Sequence, residues 1–235
     1  LEPSHSRWNT PVFVIRKKSG KWRLLQDLRQ INEVLATMGA LQPGLPALTV
    51  IPMNWPIIII DLENCFFTIP LHADDKERFA FSVPSVNHPE PSKHYHWNVL
   101  LQGMKNSPTI CQWFVAQALS PVQEKHPEGY YYHYMDDILL AAPSDDMLSA
   151  MQSDTLASLE QYGLVVSPEK VQRVQPWFYP DMKIFEQKIM PQPLTLKVMD
   201  TMTLNDLQQL LGAINWLRPI LGITMEELHP LFELL

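Results

Sequence analysis

Two adjacent carboxylates, Asp136 and Asp137, stand between two apolar runs at residues 130–132 and 138–142. This order predicts a strand, an acidic turn and a second strand. Carboxylates held side by side repel, and each tends to take up a proton unless a cation lies nearby. Mg²⁺ prefers such oxygen ligands. A simple solvated Asp-Asp turn is the alternative, and it would be less attractive if a third carboxylate were available.

A third carboxylate follows a strongly apolar run. The four isoleucines at 57–60 predict a strand buried on both faces, and Asp61 comes directly after them. Burying a carboxylate is costly unless it is paired or binds a metal, although a lone strand-end aspartate is often a helix cap or a loop contact. With the acidic turn, Asp61 completes the carboxylate set of a two-metal phosphoryl-transfer site.

Five blocks of the chain resemble retroviral reverse transcriptases in their order and spacing. They are residues 8–23, 61–67, 100–108, 134–137 and 204–216. The sequences of segments 41–46 and 106–112 are most similar to those of betaretroviruses and HERV-K-type endogenous elements. The resemblance implies an α+β right-hand polymerase whose antiparallel palm sheet is backed by helices. The fingers would be residues 1–36 and 69–106, the palm 37–68 and 107–190, and the start of a thumb 191–235. Further fingers, thumb, connection and RNase H segments are expected to lie outside the chain.

The resemblance also implies a reaction, which is RNA- or DNA-directed transfer of dNMP to a primer 3′-hydroxyl. Two Mg²⁺ ions, replaceable by Mn²⁺, would be bound by the catalytic residues Asp61, Asp136 and Asp137. A second set would bind the nucleotide and primer end, namely Lys17, Arg23, Phe66, Gln102 and Met135. Lys17 and Arg23 would reach the triphosphate, and Gln102 would contact the sugar and the template. Phe66 would exclude a ribose 2′-hydroxyl by its bulk, with plain core packing as the alternative.

The net charge of −7 has the wrong sign for binding a polyanion, but the charges are unevenly distributed. Between Arg16 and Arg29, six basic residues face the single acid Asp27, a local net charge of +5. A turn at Ser19-Gly20 would place this charge at the tip of a hairpin. The segment is therefore either a solvated basic face or a phosphate-binding one.

Three departures from the family pattern bear on activity. Leu101 stands where the family has proline before Gln-Gly, which would loosen the loop. In the segment expected to grip the primer, Tyr179, Pro180, Asp181 and Met182, proline would remove a donor from a strand ladder and Asp181 would add charge near phosphates. A second hypothesis is therefore a decayed retroelement relic that binds nucleic acid or protein without catalysis.

Several helices are marked by their ends. Ser107 predicts a cap ahead of Pro108, and a second helix is expected from 146 to 162 with Gly163 as its stop. Thr203 with Asp206, and Thr224 with Glu227, are typical of capping boxes. Pro219 is expected to end the helix that begins after Thr203.

Composition is compatible with these expectations. The chain is 46% apolar and has no run of eighteen apolar residues, so no membrane span is predicted. No signal or transit peptide is recognised. Cys65 and Cys111 lie in apolar segments and are predicted to be buried thiols in a reducing compartment. The expected location is therefore cytoplasmic, or a virion or retroelement particle. The expected partners are a primed RNA or DNA template and dNTPs, in a dimer or polyprotein context.

Overall fold

Helices and antiparallel sheets are mixed throughout the computed structural model, which describes residues 1–16, 20–39, 48–84, 91–180, 182–185, 188–191 and 203–234. The strands are β1 (Glu2–Pro3), β2 (Val12–Arg16), β3 (Trp22–Gln26), β4 (Ile57–Glu63), β5 (Ala80–Val83), β6 (Lys93–His96), β7 (Tyr130–Tyr134), β8 (Asp137–Ala141), β9 (Val165–Val166), β10 (Trp177–Tyr179), β11 (Met182–Phe185) and β12 (Lys188–Pro191). The helices are α1 (Arg29–Val34), α2 (Cys65–Thr68), α3 (Ala73–Lys76), α4 (Ser107–Lys125), α5 (Asp145–Gln161), α6 (Leu204–Leu221) and α7 (Met225–Phe232). The architecture agrees with the expected α+β class.

Contacts divide the chain into two compact units. The first comprises Leu1–Leu41, Leu62–Val122 and Thr155–Val166, and the second Gln42–Asp61, Gln123–Asp154 and Ser167–Leu235. The first unit contains the β2–β3 hairpin and a three-stranded sheet in the order β1-β6-β5. Its hairpin has Arg16 opposite Trp22, as the predicted turn near Gly20 requires. Gly20 has a φ of +82°, a conformation that glycine adopts without strain.

The second unit is built on three strands of one sheet. β8 pairs with β7 on one side and with β4 on the other, and both pairings are antiparallel. The predicted strand, acidic turn and strand are confirmed. The isoleucines at 57–60 are all at most 7% exposed, which confirms a strand buried on both faces. Ile57, Ile59 and Leu139 pack with residues of the β10–β11 hairpin in one apolar cluster.

The helix ends follow the predicted signals with two differences. Both capping boxes are present, and Gly163 follows α5 with a φ of +72°. Pro219 lies inside α6, so the prediction that it ends the helix is wrong. A proline so near the end removes only one hydrogen bond, and Gly222, with a φ of +68°, provides the left-handed cap.

Ser107 is the second difference, because it is the first residue of α4 and not the residue before it. Its hydroxyl donates a hydrogen bond of 2.7 Å to the carbonyl of Leu101. Within the described parts of the chain, no helix is long and apolar enough to cross a membrane.

Candidate active site

The three predicted carboxylates, Asp61, Asp136 and Asp137, meet at one end of the β7-β8-β4 sheet, and we call them the carboxylate cluster. Asp61 and Asp137 are direct partners across the β4–β8 pairing, so their side chains project from the same face. Asp136 lies in the two-residue turn between the paired residues Tyr134 and Asp137. The fold therefore brings together residues 75 positions apart in the sequence.

The turn that carries Asp136 has an unusual backbone. Met135 has a φ of +55°, a left-handed conformation that is uncommon for a residue with a side chain. Such a conformation suits a two-residue hairpin turn, because its twist matches that of the flanking strands. The turn leaves Asp136 exposed to solvent, and Met135 is half-buried. Local strain of this kind persists where the surrounding strands hold the turn in place.

The electrostatics of the carboxylate cluster favour an added cation. Burial, together with the negative charges of Asp136 and Asp61, raises the pKa of Asp137 to about 7, and the charge of Lys170 opposes this shift. Although Asp136 as a whole residue is exposed, partial burial of its carboxyl group is the main cause that raises its pKa. Like charges facing each other across strands are destabilising. The three carboxylates of the cluster therefore carry more negative charge than the described basic side chains near them can neutralise.

One basic side chain, Lys170, reaches the cluster and was missed by sequence reasoning. Its Nζ lies 2.7 Å from Oδ1 of Asp61, and this hydrogen bond is the main cause that raises the pKa of Lys170. Lys170 ends a short 3₁₀ turn, Pro168–Lys170, which is held to β4 because the Ser167 amide donates to the Asp61 carbonyl at 2.9 Å. Lys170 and Asp61 are 109 positions apart, so no local pattern marks the pair.

The carboxylate cluster offers the kind of ligand atoms that a divalent ion needs. Carboxylate oxygens are the ligands that Mg²⁺ prefers, and a nearby cation would favour the charged form of Asp137, whose pKa is raised mainly by burial. Across the described residues, no group of three or more His, Cys, Asp or Glu side chains is already arranged to hold a metal. The donor set fits a divalent ion, but Asp61 must first release Lys170 or share its second oxygen.

The β10–β11 hairpin corrects the expectation about Pro180. The strand ladder of this hairpin is complete without residue 180. Its three pairs are Trp177 with Ile184, Phe178 with Lys183, and Tyr179 with Met182. Pro180 lies in the turn after Tyr179, where no ladder hydrogen bond is needed and proline is well tolerated. The prediction that Pro180 removes a ladder donor is wrong. Asp181 lies outside the described residues.

Two residues assigned to the primer grip have buried side chains. Tyr179 is 1% exposed and Met182 3% exposed, and both belong to the apolar cluster beneath the sheet. Burial raises the pKa of Tyr179, and the charge of Asp137 contributes. Alternation along β10 instead leaves Phe178 exposed. The Gln172 side chain donates to the Phe178 carbonyl and accepts from its amide, which fixes this strand.

Three of the predicted nucleotide-binding residues, Arg23, Phe66 and Gln102, lie in the first unit. Arg23 is half-buried on β3, and among the described residues no carboxylate pairs with it. Arg29 differs, because its guanidinium binds Asp27 at 2.6 Å and lowers the pKa of that carboxyl to about 2. Phe66 is half-buried on α2. Lys17 lies outside the described residues.

Gln102 lies in a loop at residues 101–106, which we call the Gln102 loop. The side chain of Asn32 donates to the carbonyl of Gly103 and accepts from the amide of Lys105, both at 2.8 Å. Leu101 is 2% exposed, and its carbonyl accepts the Ser107 hydroxyl. These contacts hold the loop where the sequence predicted loosening at Leu101. Asn32 is a second residue that sequence reasoning missed.

Comparison with known protein families agrees with this geometry. A family described as "Reverse transcriptase (RNA-dependent DNA polymerase)" matches residues 15–210, and "Reverse transcriptase thumb domain" matches residues 191–235. The chain belongs to the reverse transcriptase family. The resemblance predicted from the five sequence blocks is confirmed.

Individual relatives of this reverse transcriptase chain are retroviral polyproteins. The chain is 53% identical over 235 residues to the Gag-Pro-Pol polyprotein of mouse mammary tumor virus (strain BR6), covering all of the chain and 13% of that polyprotein. It is 51% identical to the Gag-Pro-Pol polyprotein of squirrel monkey retrovirus, covering all of the chain and 12% of the relative. For Mason-Pfizer monkey virus the identity is 50%, with coverage of 100% and 13%. The chain thus spans only a small part of the relatives it matches.

Proposed function

We propose that this reverse transcriptase chain is a DNA polymerase domain that copies a primed RNA or DNA template. It would transfer dNMP from a dNTP to the primer 3′-hydroxyl. The observation that supports this most directly is the meeting of Asp61, Asp136 and Asp137 at one sheet end, with a surplus of negative charge. Family membership supports the same reaction.

The carboxylate cluster would hold two Mg²⁺ ions, which Mn²⁺ could replace. Bound there, the ions would lower the pKa of the attacking hydroxyl and neutralise the leaving pyrophosphate. Asp61 and Asp136 are proposed as the bridging ligands, with Asp137 nearer the primer end. Met135, on the turn beside Asp136, would pack against the primer terminus.

Other residues would position the substrates. Arg23 on the basic hairpin, together with Lys17, would bind the triphosphate as planar fork and point charge. Phe66 would exclude a ribose 2′-hydroxyl, and Gln102 would contact the sugar and template. The β10–β11 turn, with Tyr179, Pro180, Asp181 and Met182, would touch the primer through its backbone, because Tyr179 and Met182 bury their side chains.

The right-hand architecture is part of this proposal. Fingers would be 1–36 and 69–106, palm 37–68 and 107–190, and thumb 191–235, and the match of the thumb family to 191–235 supports the last range. A polyprotein context agrees with the retroviral relatives, and so does a location in a virion or in cytoplasmic particles. A dimer is a further proposed partner state.

Primer extension on poly(rA)/oligo(dT) with Mg²⁺ or Mn²⁺ tests the proposal. Asp136→Asn should reduce extension by on the order of a thousandfold, which corresponds to about 4 kcal/mol of transition-state stabilisation. Asp146→Asn is a matched control, because Asp146 is exposed at the start of α5. Equal extension by the wild type and Asp136→Asn would show that the carboxylate cluster does not take part in the reaction.

The second candidate is a non-catalytic relic that binds nucleic acid or protein. It is favoured by the contact of Lys170 with Asp61 and by the lack of a preformed metal cage in the described residues. Tight binding of the primed template by the wild type, without extension in either metal, would support this candidate over the polymerase.

A further inference from the structure

The two cysteines of the chain are neighbours in the first unit, which the sequence did not predict. Cys65 is the first residue of α2 and Cys111 lies in α4, 46 positions away, yet their sulfur atoms are 2.6 Å apart. Their exposed fractions are only 2% and 1%, and both are thiols. The fold has therefore paired the only two cysteines of the chain in an apolar interior.

This separation is close to that of a covalent pair. A disulfide bond is about 2.05 Å long, so the sulfur atoms need to approach by only about 0.5 Å more. The backbone on the Cys65 side is already held, because the Thr68 hydroxyl donates to the Cys65 carbonyl at 2.7 Å.

We propose that Cys65 and Cys111 form an oxidation site that closes to an intramolecular disulfide when a small hydroperoxide reaches it. The first thiol gives up its proton as its sulfur attacks a peroxide oxygen, the O–O bond breaks, and the products are a sulfenic acid and one water, which takes up that proton. The second thiol then attacks the sulfenic sulfur and expels water. In balance, two thiols and one hydrogen peroxide give one disulfide and two waters. Burial favours this small oxidant over a bulky one, and the adjacent thiol traps the sulfenic acid before further oxidation.

Closure would also affect the nucleotide site, a step that rests on the proposed function. Phe66 follows Cys65 directly, and the first residue of α4, Ser107, holds the Gln102 loop through the Leu101 carbonyl. A covalent bond between α2 and α4 would therefore restrain both segments that are proposed to contact the nucleotide sugar. Oxidation would weaken dNTP binding, and reduction would restore it.

The test is peptide mapping of the whole chain after mild hydrogen peroxide treatment, without a reducing agent. We expect a linked peptide pair containing Cys65 and Cys111, two hydrogen atoms lighter than the separate peptides, and loss of both reactive thiols in the monomer. Dithiothreitol should return both. Cys111→Ala is the matched variant, in which no such pair can form. Met53, which is 72% exposed, reports in the same digest that the oxidant was effective.

A second measurement follows dNTP affinity before and after peroxide. A several-fold loss in the wild type, reversed by dithiothreitol and absent from Cys111→Ala, supports the regulatory step. Oxidised Met53 with both thiols unchanged, with separate sulfinic acids, or with links between chains overturns the disulfide site. A linked pair with unchanged affinity overturns the regulatory step alone. Failure of every reduced form to bind dNTP would count against the proposed function, independently of the disulfide.

Discussion

The Gln102 loop of the first unit and the carboxylate cluster of the second unit differ in how the fold pairs their polar groups. In the loop, backbone groups are paired by side chains from a distant segment, as Asn32 does for Gly103 and Lys105. Asn106 belongs to the loop, and its side chain pairs with backbone groups of the distant segment. Its amide group donates to the Ala36 carbonyl, and its side-chain oxygen accepts from the Met38 amide. The conformation of the loop is thus determined within the chain.

The carboxylate cluster has no such internal balance. One ammonium group, Lys170, contacts Asp61, while Asp136 and Asp137 have raised pKa values. An ion pair with a largely exposed lysine contributes little to stability. The difference is that the loop is held by hydrogen bonds within the first unit, whereas the carboxylates of the second unit repel one another and would gain from an added cation. Three substitutions test this contrast, and a fourth tests the β10–β11 turn.

Asn32→Ala should give the largest loss of stability. It leaves the Gly103 carbonyl and the Lys105 amide without their protein partner, which we expect to cost about 2 kcal/mol of the free energy of unfolding. Urea denaturation measures this cost. Gln30→Ala on the same helix is the control, because the exposed Gln30 side chain makes no hydrogen bond to a described residue. Equal stability of the two variants would show that the loop is not held by Asn32.

Asp137→Asn should stabilise the chain when divalent ions are removed by EDTA. The pKa of Asp137 is raised from 3.8 to about 7, so between these values the folded chain binds more protons than the unfolded chain. Stability is therefore lost as the pH rises through this window. Because the side chain is only partly buried, we expect a gain of about 1–2 kcal/mol at pH 8.

The dependence on pH distinguishes this effect from a general one. The gain from Asp137→Asn should shrink as the pH falls from about 8 to about 5, because wild-type Asp137 then becomes protonated. Glu128→Gln, at an exposed position before β7, should show no comparable change with pH. A constant difference across this range would mean that Asp137 carries no unfavourable charge.

Lys170→Met should increase the affinity of the carboxylate cluster for Mn²⁺. Removing the ammonium that contacts Asp61 leaves more uncompensated negative charge, and we expect roughly fivefold tighter binding, about 1 kcal/mol. Electron paramagnetic resonance of free Mn²⁺ measures this directly, without polymerase activity. Lys125→Met is a matched control, because Lys125 pairs with Asp154 at 2.8 Å, away from the cluster. Weaker binding by Lys170→Met would indicate that the lysine organises the site.

Pro180→Ala should have the smallest effect and a diagnostic sign. Pro180 lies in the turn, where its fixed φ restricts the unfolded chain, so alanine should lower stability by about 0.5 kcal/mol. A proline that broke the strand ladder would give the opposite sign, since its replacement would restore a hydrogen bond. Thermal denaturation of the wild type and Pro180→Ala distinguishes these outcomes. Stabilisation by alanine would show that Pro180 does disrupt the pairing of the two strands.

Local signals in the sequence were sufficient for the elements that carry the site. The isoleucine run before Asp61 and the acidic turn at Asp136 predicted the strand and the hairpin, and Thr203 and Thr224 predicted two helix starts. These predictions were correct because alternation, burial and capping depend on residues only a few positions apart. Reading Pro180 the same way failed, because the turn register of a hairpin depends on how its two strands pair.

Tertiary structure alone decided which distant side chains meet. Lys170 with Asp61, Asn32 with the Gln102 loop, and Cys65 with Cys111 are separated by 46 to 109 positions, and no periodicity in the sequence relates them. Such contacts exist because strand pairing and helix packing bring separate segments side by side, at an entropic cost that only the whole fold can offset. The carboxylates themselves could be recognised from the sequence, but the partners of Asp61, of the Gln102 loop and of Cys65 were found only in the folded chain.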